Sequence, residues 1–172
     1  MAGYVLSCCS TADLSEEHFN SRDIQYICFH YSLNGESYPD DLGKSIPFPD
    51  FYKAMADGAE TKTSQINADE YREYFEGFLK QGKDILHVTL SSGISGTINS
   101  ALIARDMLAD KYPDRKIIVE ESLADSTGYG HVMEKLADVL GEGFYILPSS
   151  VHETIILPEG SSSEMPLLEM VK

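Results

Sequence analysis

The chain alternates short apolar, β-rich runs with stretches whose apolar residues recur at helical spacing. Residues 4–7 (YVLS) form an apolar run that breaks into the polar CSTADLS, which predicts a strand followed by a loop. Ser15 then offers an N-cap, with Glu16 and Glu17 in the first turn where the helix dipole favours negative charge. Residues 24–31 (IQYICFHY), rich in β-branched and aromatic side chains, predict a second strand that ends before the turn signal Asn34-Gly35. Phe48, Phe51, Tyr52 and Met55 fall on one helical face ahead of Gly58, a suitable C-terminal cap, and predict a short amphipathic helix.

The clearest helix starts at Asn67, which forms a capping-box pattern with Glu70, and carries Tyr71, Tyr74, Phe75, Phe78 and Leu79 as one stripe up to Gly82. Residues 85–90 (ILHVTL) read as a strand that opens into SSGISGT, and Ile98, Ala101, Leu102 and Leu108 mark the helix after it. A Tyr112-Pro113-Asp114 turn leads to a strand beginning at residues 116–119, and Val132, Leu136, Val139 and Leu140 give one more helix, capped by Gly141. FYILPSS and ETIILPEG read as two short strands interrupted by prolines, and GSSSEMPLLEMVK as a loop and mobile tail. This alternation predicts an α/β fold, a parallel-sheet lobe with helices on both faces. Ligands of such sheets settle outside the carboxyl ends of the strands, where the polar loops CSTADL, KTSQIN and SSGISGT are expected to collect.

Composition narrows the functional classes. At 172 residues with 42% hydrophobic content, the chain is sized for about one folded domain. Its formal net charge of −15 opposes electrostatic binding to nucleic acid or to anionic lipid. The amino terminus lacks a basic, then apolar, signal pattern and no segment reads as a membrane span, so a cytoplasmic protein is expected. Cys8, Cys9 and Cys28 contain no C-x-x-C pair and are expected to be reduced and partly buried.

Candidate chemistry concentrates in the hydroxyl-rich loops. SSGISGT joins a strand to a helix, so its backbone N–H groups and hydroxyls are placed to surround a phosphate or carboxylate, although the spacing and lysine of a nucleotide-binding P-loop are missing. Around Ser95 the sequence falls one position short of a G-x-S-x-G nucleophile elbow, and neither His131 nor His152 has a motif context as its base. His30 and His87 lie in strand-like runs and read as hydrogen-bonded structural residues, while His18, His131 and His152 form no metal-ligand cluster. Asp40 and Asp41 read as a solvated turn. No metal and no cofactor is expected.

Taken in order, CSTADLS, NGESYPDD, TKTSQIN, LSSGISGTINSA and ESLADSTGYG resemble the DegV family of bacterial fatty-acid-binding proteins over about residues 1–130. The resemblance implies the N-terminal lobe of a two-lobed α/β protein that holds a long-chain fatty acid without transforming it, in some members for a separate kinase that makes the acyl phosphate. It further implies that Thr63 and Ser95 grip the carboxylate, with Ser64 and Ser92 beside them. Cys9 stands where family members commonly have an acidic residue, and Glu120-Glu121 where V-D-S-L is usual. The family's second lobe has no counterpart after Gly130; residues 131–172 form an atypical extension similar to the end of a different, uncharacterised bacterial family. Two other readings stand beside the carrier: a serine hydrolase acting through Ser95, and a lone lobe serving as a protein-interaction module, with a homodimer over its uncovered apolar face.

Overall fold

The computed structural model describes residues 3–140, 144–150 and 153–158. Strand β1 (Tyr4–Cys9) runs into a tight 3-10 turn at Ser10–Ala12, helix α1 (Glu16–Ser21) and strand β2 (Ile24–Ile27). Strands β3 (His30–Leu33) and β4 (Glu36–Pro39), helix α2 (Phe48–Ala56) and strand β5 (Thr61–Ser64) follow. Helix α3 (Ala68–Leu79), strand β6 (Asp84–Thr89), helix α4 (Thr97–Ala109), strand β7 (Ile117–Glu121) and helix α5 (Ser126–Leu140) come next. Strands β8 (Phe144–Ser150) and β9 (Glu153–Pro158) pair as an antiparallel hairpin with an irregularity between Pro148 and Ser150.

The main sheet is parallel throughout, in the order β2-β1-β6-β7. Every residue from Val5 to Cys9 and from Ile85 to Thr89 is buried. Successive side chains of a strand face opposite ways, so the two central strands are covered on both faces, as the expected α/β architecture requires. The helix starts follow their sequence signals: Ser15 Oγ accepts the His18 N–H, and Asn67 and Glu70 complete the capping box of α3.

Two expectations are corrected. Residues 24–31 do not form one strand, because β2 belongs to the parallel sheet and β3 to a separate antiparallel sheet of order β4-β3-β5. The switch lies at Phe29, whose N–H is taken by Ser10 Oγ at 3.0 Å instead of the parallel sheet and whose carbonyl accepts the Asp40 N–H at 2.8 Å, one step beyond the His30–Pro39 pair of the antiparallel sheet. KTSQIN is likewise not all loop: Thr61–Ser64 is β5, paired antiparallel with β3. The Asn34-Gly35 turn joins β3 to β4 as predicted, with both residues at positive φ.

The core carries a polar seam. His87 is fully buried, its Nδ1 2.9 Å from Ser7 Oγ, which also lies 2.8 Å from the Tyr74 hydroxyl. Burial drives the His87 pKa down to about 3, so the ring is neutral. Cys8 and Cys9 are completely buried rather than partly so, and desolvation pushes the Cys9 thiol up to about 12. Cys28 is half-buried, its thiol raised to about 11 by burial and then by Asp40 and Asp41. The expected solvated turn at Asp40-Asp41 is also more structural: Asp41 Oδ1 accepts the N–H groups of Lys44 and Ser45 at 2.9 and 3.0 Å. The expected Gly141 cap and the tail from Gly160 lie outside the described residues.

Helix α5 locks onto the turn after β1. The Tyr129 hydroxyl accepts the Cys9 N–H at 2.9 Å and donates to the Val88 carbonyl. One residue on, a Cβ at Gly130 would sit 2.3 Å from the Ala12 carbonyl oxygen, so only glycine permits this approach. Gly130→Ala is expected to lower the thermal midpoint by roughly 3–10 °C, the size of an overpacking strain of about 1–3 kcal/mol. Gly77→Ala, on the exposed side of α3 with nothing within 4 Å, is expected to leave the midpoint unchanged or raise it in the same calorimetric comparison.

His87 makes stability depend on pH. The unfolded chain takes a proton near the ordinary imidazole value of 6.5 whereas the folded core holds out to about 3, so the unfolded state binds more protons between them and stability falls as pH falls through that window. Urea unfolding at pH 7 and pH 4 is expected to show this loss, and His87→Gln is expected to flatten the slope.

Candidate ligand-binding cleft

A cleft of about 620 Å³ lies among the antiparallel sheet, α2 and the carboxyl ends of β1 and β6, a volume within the range of small-molecule sites. Three of the residues singled out from the sequence meet in it: Thr63 and Ser64 from β5, and Ser95 from the loop after β6. Ser92 does not line it; its N–H is held by Glu121 Oε2 at 2.7 Å. In the β3–β5 register Tyr31 lies opposite Thr63, and directly opposed side chains share a face of a sheet.

The remaining wall is apolar. Phe29, Tyr31, Phe48, Phe51, Tyr52, Leu90 and Ile94 line the same space. Helix α2 buries none of its residues, and its predicted apolar face leaves Phe48 54% and Tyr52 64% exposed over the cleft. Tyr31 anchors that helix through an edge-on contact with Phe51 at 5.1 Å between ring centroids.

The loop Ser91–Gly96 is more internally bonded than its sequence implies. Ser91 O accepts the N–H groups of Ile94 and Ser95 at 2.9 and 3.2 Å, and Ser91 Oγ accepts that of Gly93 at 3.2 Å. With the Ser92 N–H on Glu121 and the Thr97 N–H on Ser95 Oγ at 3.2 Å, the expected gathering of these backbone donors about an anion is corrected. Side chains are what the loop offers. Ser95 Oγ donates to Gln65 Oε1 at 3.3 Å, and the Gln65 amide lies over Gly96, where an added Cβ would come within 3.3 Å of it.

Beneath Ser95 a hydrogen-bond chain ties three elements together. Thr97 Oγ1 is 3.0 Å from the Tyr71 hydroxyl, which is 3.2 Å from Cys9 Sγ, and all three residues are buried. The first residue of α4 is thus fixed to α3 and to the end of β1. A second tie joins the two sheets: Ser10 Oγ accepts the Phe29 N–H and donates to Asp40 Oδ2 at 2.8 Å. Burial raises the Asp40 carboxyl pKa against the lowering effect of that bond.

The electrostatics are unusual for an anion site. Among the described residues the lining includes Asp13 and Asp40 but no lysine or arginine, and His30, which also lines it, has Nε2 3.3 Å from Glu70 Oε1. Ser95 donates its proton to an amide oxygen, which cannot act as a general base. His131 instead faces Glu134 along α5, with Nδ1 3.8 Å from the carboxylate, and His152 lies outside the described residues. Among the described residues no cluster of three metal-ligating side chains occurs. Thr11 also lines the cleft, and its buried Oγ1 has no hydrogen-bond partner.

Sequence reasoning passed over Gln65, Tyr71 and Thr97 as functional positions. Gln65 stood inside a quoted motif, but an amide carries no charge to mark it. Tyr71 fits the apolar stripe of α3 as well as its neighbours do, and only the hydroxyl's partners reveal its second role.

Comparison with known proteins finds related sequences and folds. Residues 9–146 match the family described as uncharacterised protein, DegV family, and residues 124–172 match a family of unknown function, DUF5688. A DegV domain-containing protein of Clostridium perfringens is 34% identical over 143 residues, 83% of this chain and 49% of the relative. A stearic acid-binding protein from Eubacterium ventriosum superposes with a TM-score of 0.74 at 28% identity, over 81% of this chain and 48% of the other. A Thermotoga maritima protein whose structure is described as revealing fatty acid binding function gives 0.69 at 27% identity, over 83% and 51%. The chain spans about half the length of the relatives it matches. With most of its residues inside the first of these matches, the chain belongs to the DegV family.

Proposed function

We propose that this chain binds a long-chain fatty acid, holding its carboxylate at Thr63, Ser64 and Ser95 and laying its acyl chain along the aromatic wall of α2 and β3. The observation that carries this reading is the division of one cleft into a hydroxyl end and an apolar wall. Hydrogen bonds to a charged group contribute about 1.5–3 kcal/mol each, and each buried methylene about 0.8 kcal/mol, so the two ends act on the two halves of such a ligand. Asp13 and Asp40 repel an anion from the rest of the cleft and favour one orientation of the head. Two solved relatives described as fatty-acid-binding proteins support the same ligand class.

The chain is a carrier in this reading, not an enzyme. Ser95 has an amide and a backbone N–H as its partners, which favours binding over nucleophilic attack. A head group held at an exposed edge, where Thr63 and Ser64 are solvent-facing, suits presentation to a separate kinase that phosphorylates the carboxylate. Among the described residues no helix is long and apolar enough to cross a membrane, in keeping with work in the cytoplasm.

Native mass spectrometry of the chain purified from bacteria is expected to show a co-purified long-chain fatty acid, and a fluorescent fatty acid is expected to bind and to be displaced by stearate. The double variant Thr63→Val, Ser95→Ala should weaken binding by about tenfold or more, the equivalent of losing one or two hydrogen bonds to a charge. Absence of both the bound lipid and the titration signal overturns the reading, and labelling of Ser95 by a fluorophosphonate probe overturns its non-catalytic part. Tyr71→Phe keeps the ring but removes the hydroxyl that bonds Thr97 Oγ1 and Cys9 Sγ, and is expected to reduce stability to urea by about 1–2 kcal/mol.

A further inference from the structure

A carboxylate is acceptor-only, so every group that holds it must donate. In the cleft as it stands, Ser95 has no proton to give. Its Oγ carries one hydrogen, directed at Gln65 Oε1 at 3.3 Å, while the oxygen accepts the Thr97 N–H at 3.2 Å. Of the loop's backbone donors, those of Ile94 and Ser95 are held by Ser91 O and that of Ser92 by Glu121. No lysine or arginine lines the space. For Ser95 to join the Thr63 and Ser64 hydroxyls in donating to an acid here, its bond to Gln65 must be rearranged.

The side chain able to rearrange is Gln65. Its amide carries an acceptor and two donors on one plane, and its terminal torsion is broad and close to two-fold. Both ends of the amide lie over Gly96, with Oε1 3.3 Å and Nε2 3.7 Å from where a Cβ would be. With no side chain on residue 96, the amide can turn over in place. Gln65 is itself exposed and lines the cleft beside Thr63 and Ser64.

We infer that Gln65 is a head-group residue that exchanges partners with the ligand: its carbonyl holds the Ser95 proton in the empty cleft, and on binding the amide turns so that its N–H₂ faces the carboxylate while the Ser95 hydroxyl donates to the same group. No covalent step is involved. The exchange turns one internal hydrogen bond into donors for an anion and accounts for a site with no cation. It also gives selectivity for an acid head over an alcohol, since only the acid needs both donors turned toward it.

The inference rests on the fatty-acid reading, and the test separates the two. Stearate and stearyl alcohol are titrated against a fluorescent fatty acid on the unaltered chain and on Thr63→Val, Gln65→Leu and Gln65→Glu, with thermal midpoints measured alongside. Gln65→Leu is expected to weaken stearate about fivefold to twentyfold. Gln65→Glu, which can only accept and adds a like charge, is expected to weaken it further while changing the alcohol by less than about twofold. In an amide-labelled NMR sample the Gln65 side-chain resonances are expected to shift on adding stearate. An unaltered chain that binds no acid overturns the fatty-acid reading and this inference with it. An unaltered chain that binds acid, weakened by Thr63→Val but not by either Gln65 variant, overturns this inference alone.

Discussion

On the proposed reading an acid is held here without a lysine or arginine among the described residues, and that constraint bears on the rest of the site. The cleft is lined by Asp13 and Asp40 in a chain of net charge −15, and among the described residues no lysine or arginine lines it. A lysine would attract a carboxylate from many directions, whereas a hydroxyl helps only when its single hydrogen points at the ligand. Affinity at the head group therefore depends on how many neutral donors converge and how firmly each is aimed.

The scaffold supplies that aim through buried contacts. Ser95 caps the Thr97 N–H, and Thr97 is fastened through the Tyr71 hydroxyl to Cys9 at the end of β1. Ser10, at the start of the next turn, binds the backbone of Phe29 and the carboxyl of Asp40, which sets β3 and β5 against the parallel sheet. Helix α5 closes the same turn from the other side through Tyr129 and the close approach of Gly130 to Ala12. Thr63 lies on the antiparallel sheet and Ser95 in the loop that follows β6 of the parallel one, and these few polar links determine whether their hydroxyls share a cleft.

Much of this was legible in the sequence because it depends on local signals. Periodicity located the helices, the Asn67 and Glu70 pair marked the start of α3, and the order of hydroxyl motifs implied the family. Two errors share one cause. Residues 24–31 look like one strand, and the TKTS segment like loop, because strand membership is settled by partners distant in sequence: Ser10 intercepts the Phe29 N–H, and β3 recruits residues 61–64. The expected backbone anion nest failed for a related reason, since Glu121 and Ser91 take its N–H groups. Hydrogen-bond partners separated by 30 residues, as Ser95 and Gln65 are, leave no periodic trace.

The openness of the apolar side gives the polar end added weight. Phe48 and Tyr52 stay more than half exposed, so an acyl chain lying against α2 loses water on the side that faces the helix and keeps it on the other. Hydrophobic stabilisation follows the area removed from water, and a half-covered methylene contributes well under the ~0.8 kcal/mol of a fully buried one. A site with such walls gains less from each added carbon than an enclosed tunnel does. The hydrogen bonds to the carboxylate then make up a larger share of the binding free energy, and small errors in the placement of Thr63, Gln65 or Ser95 matter more. In the proposed binding mode, the links that fix those side chains to the core, Tyr71 above all, belong to the site although they touch no ligand.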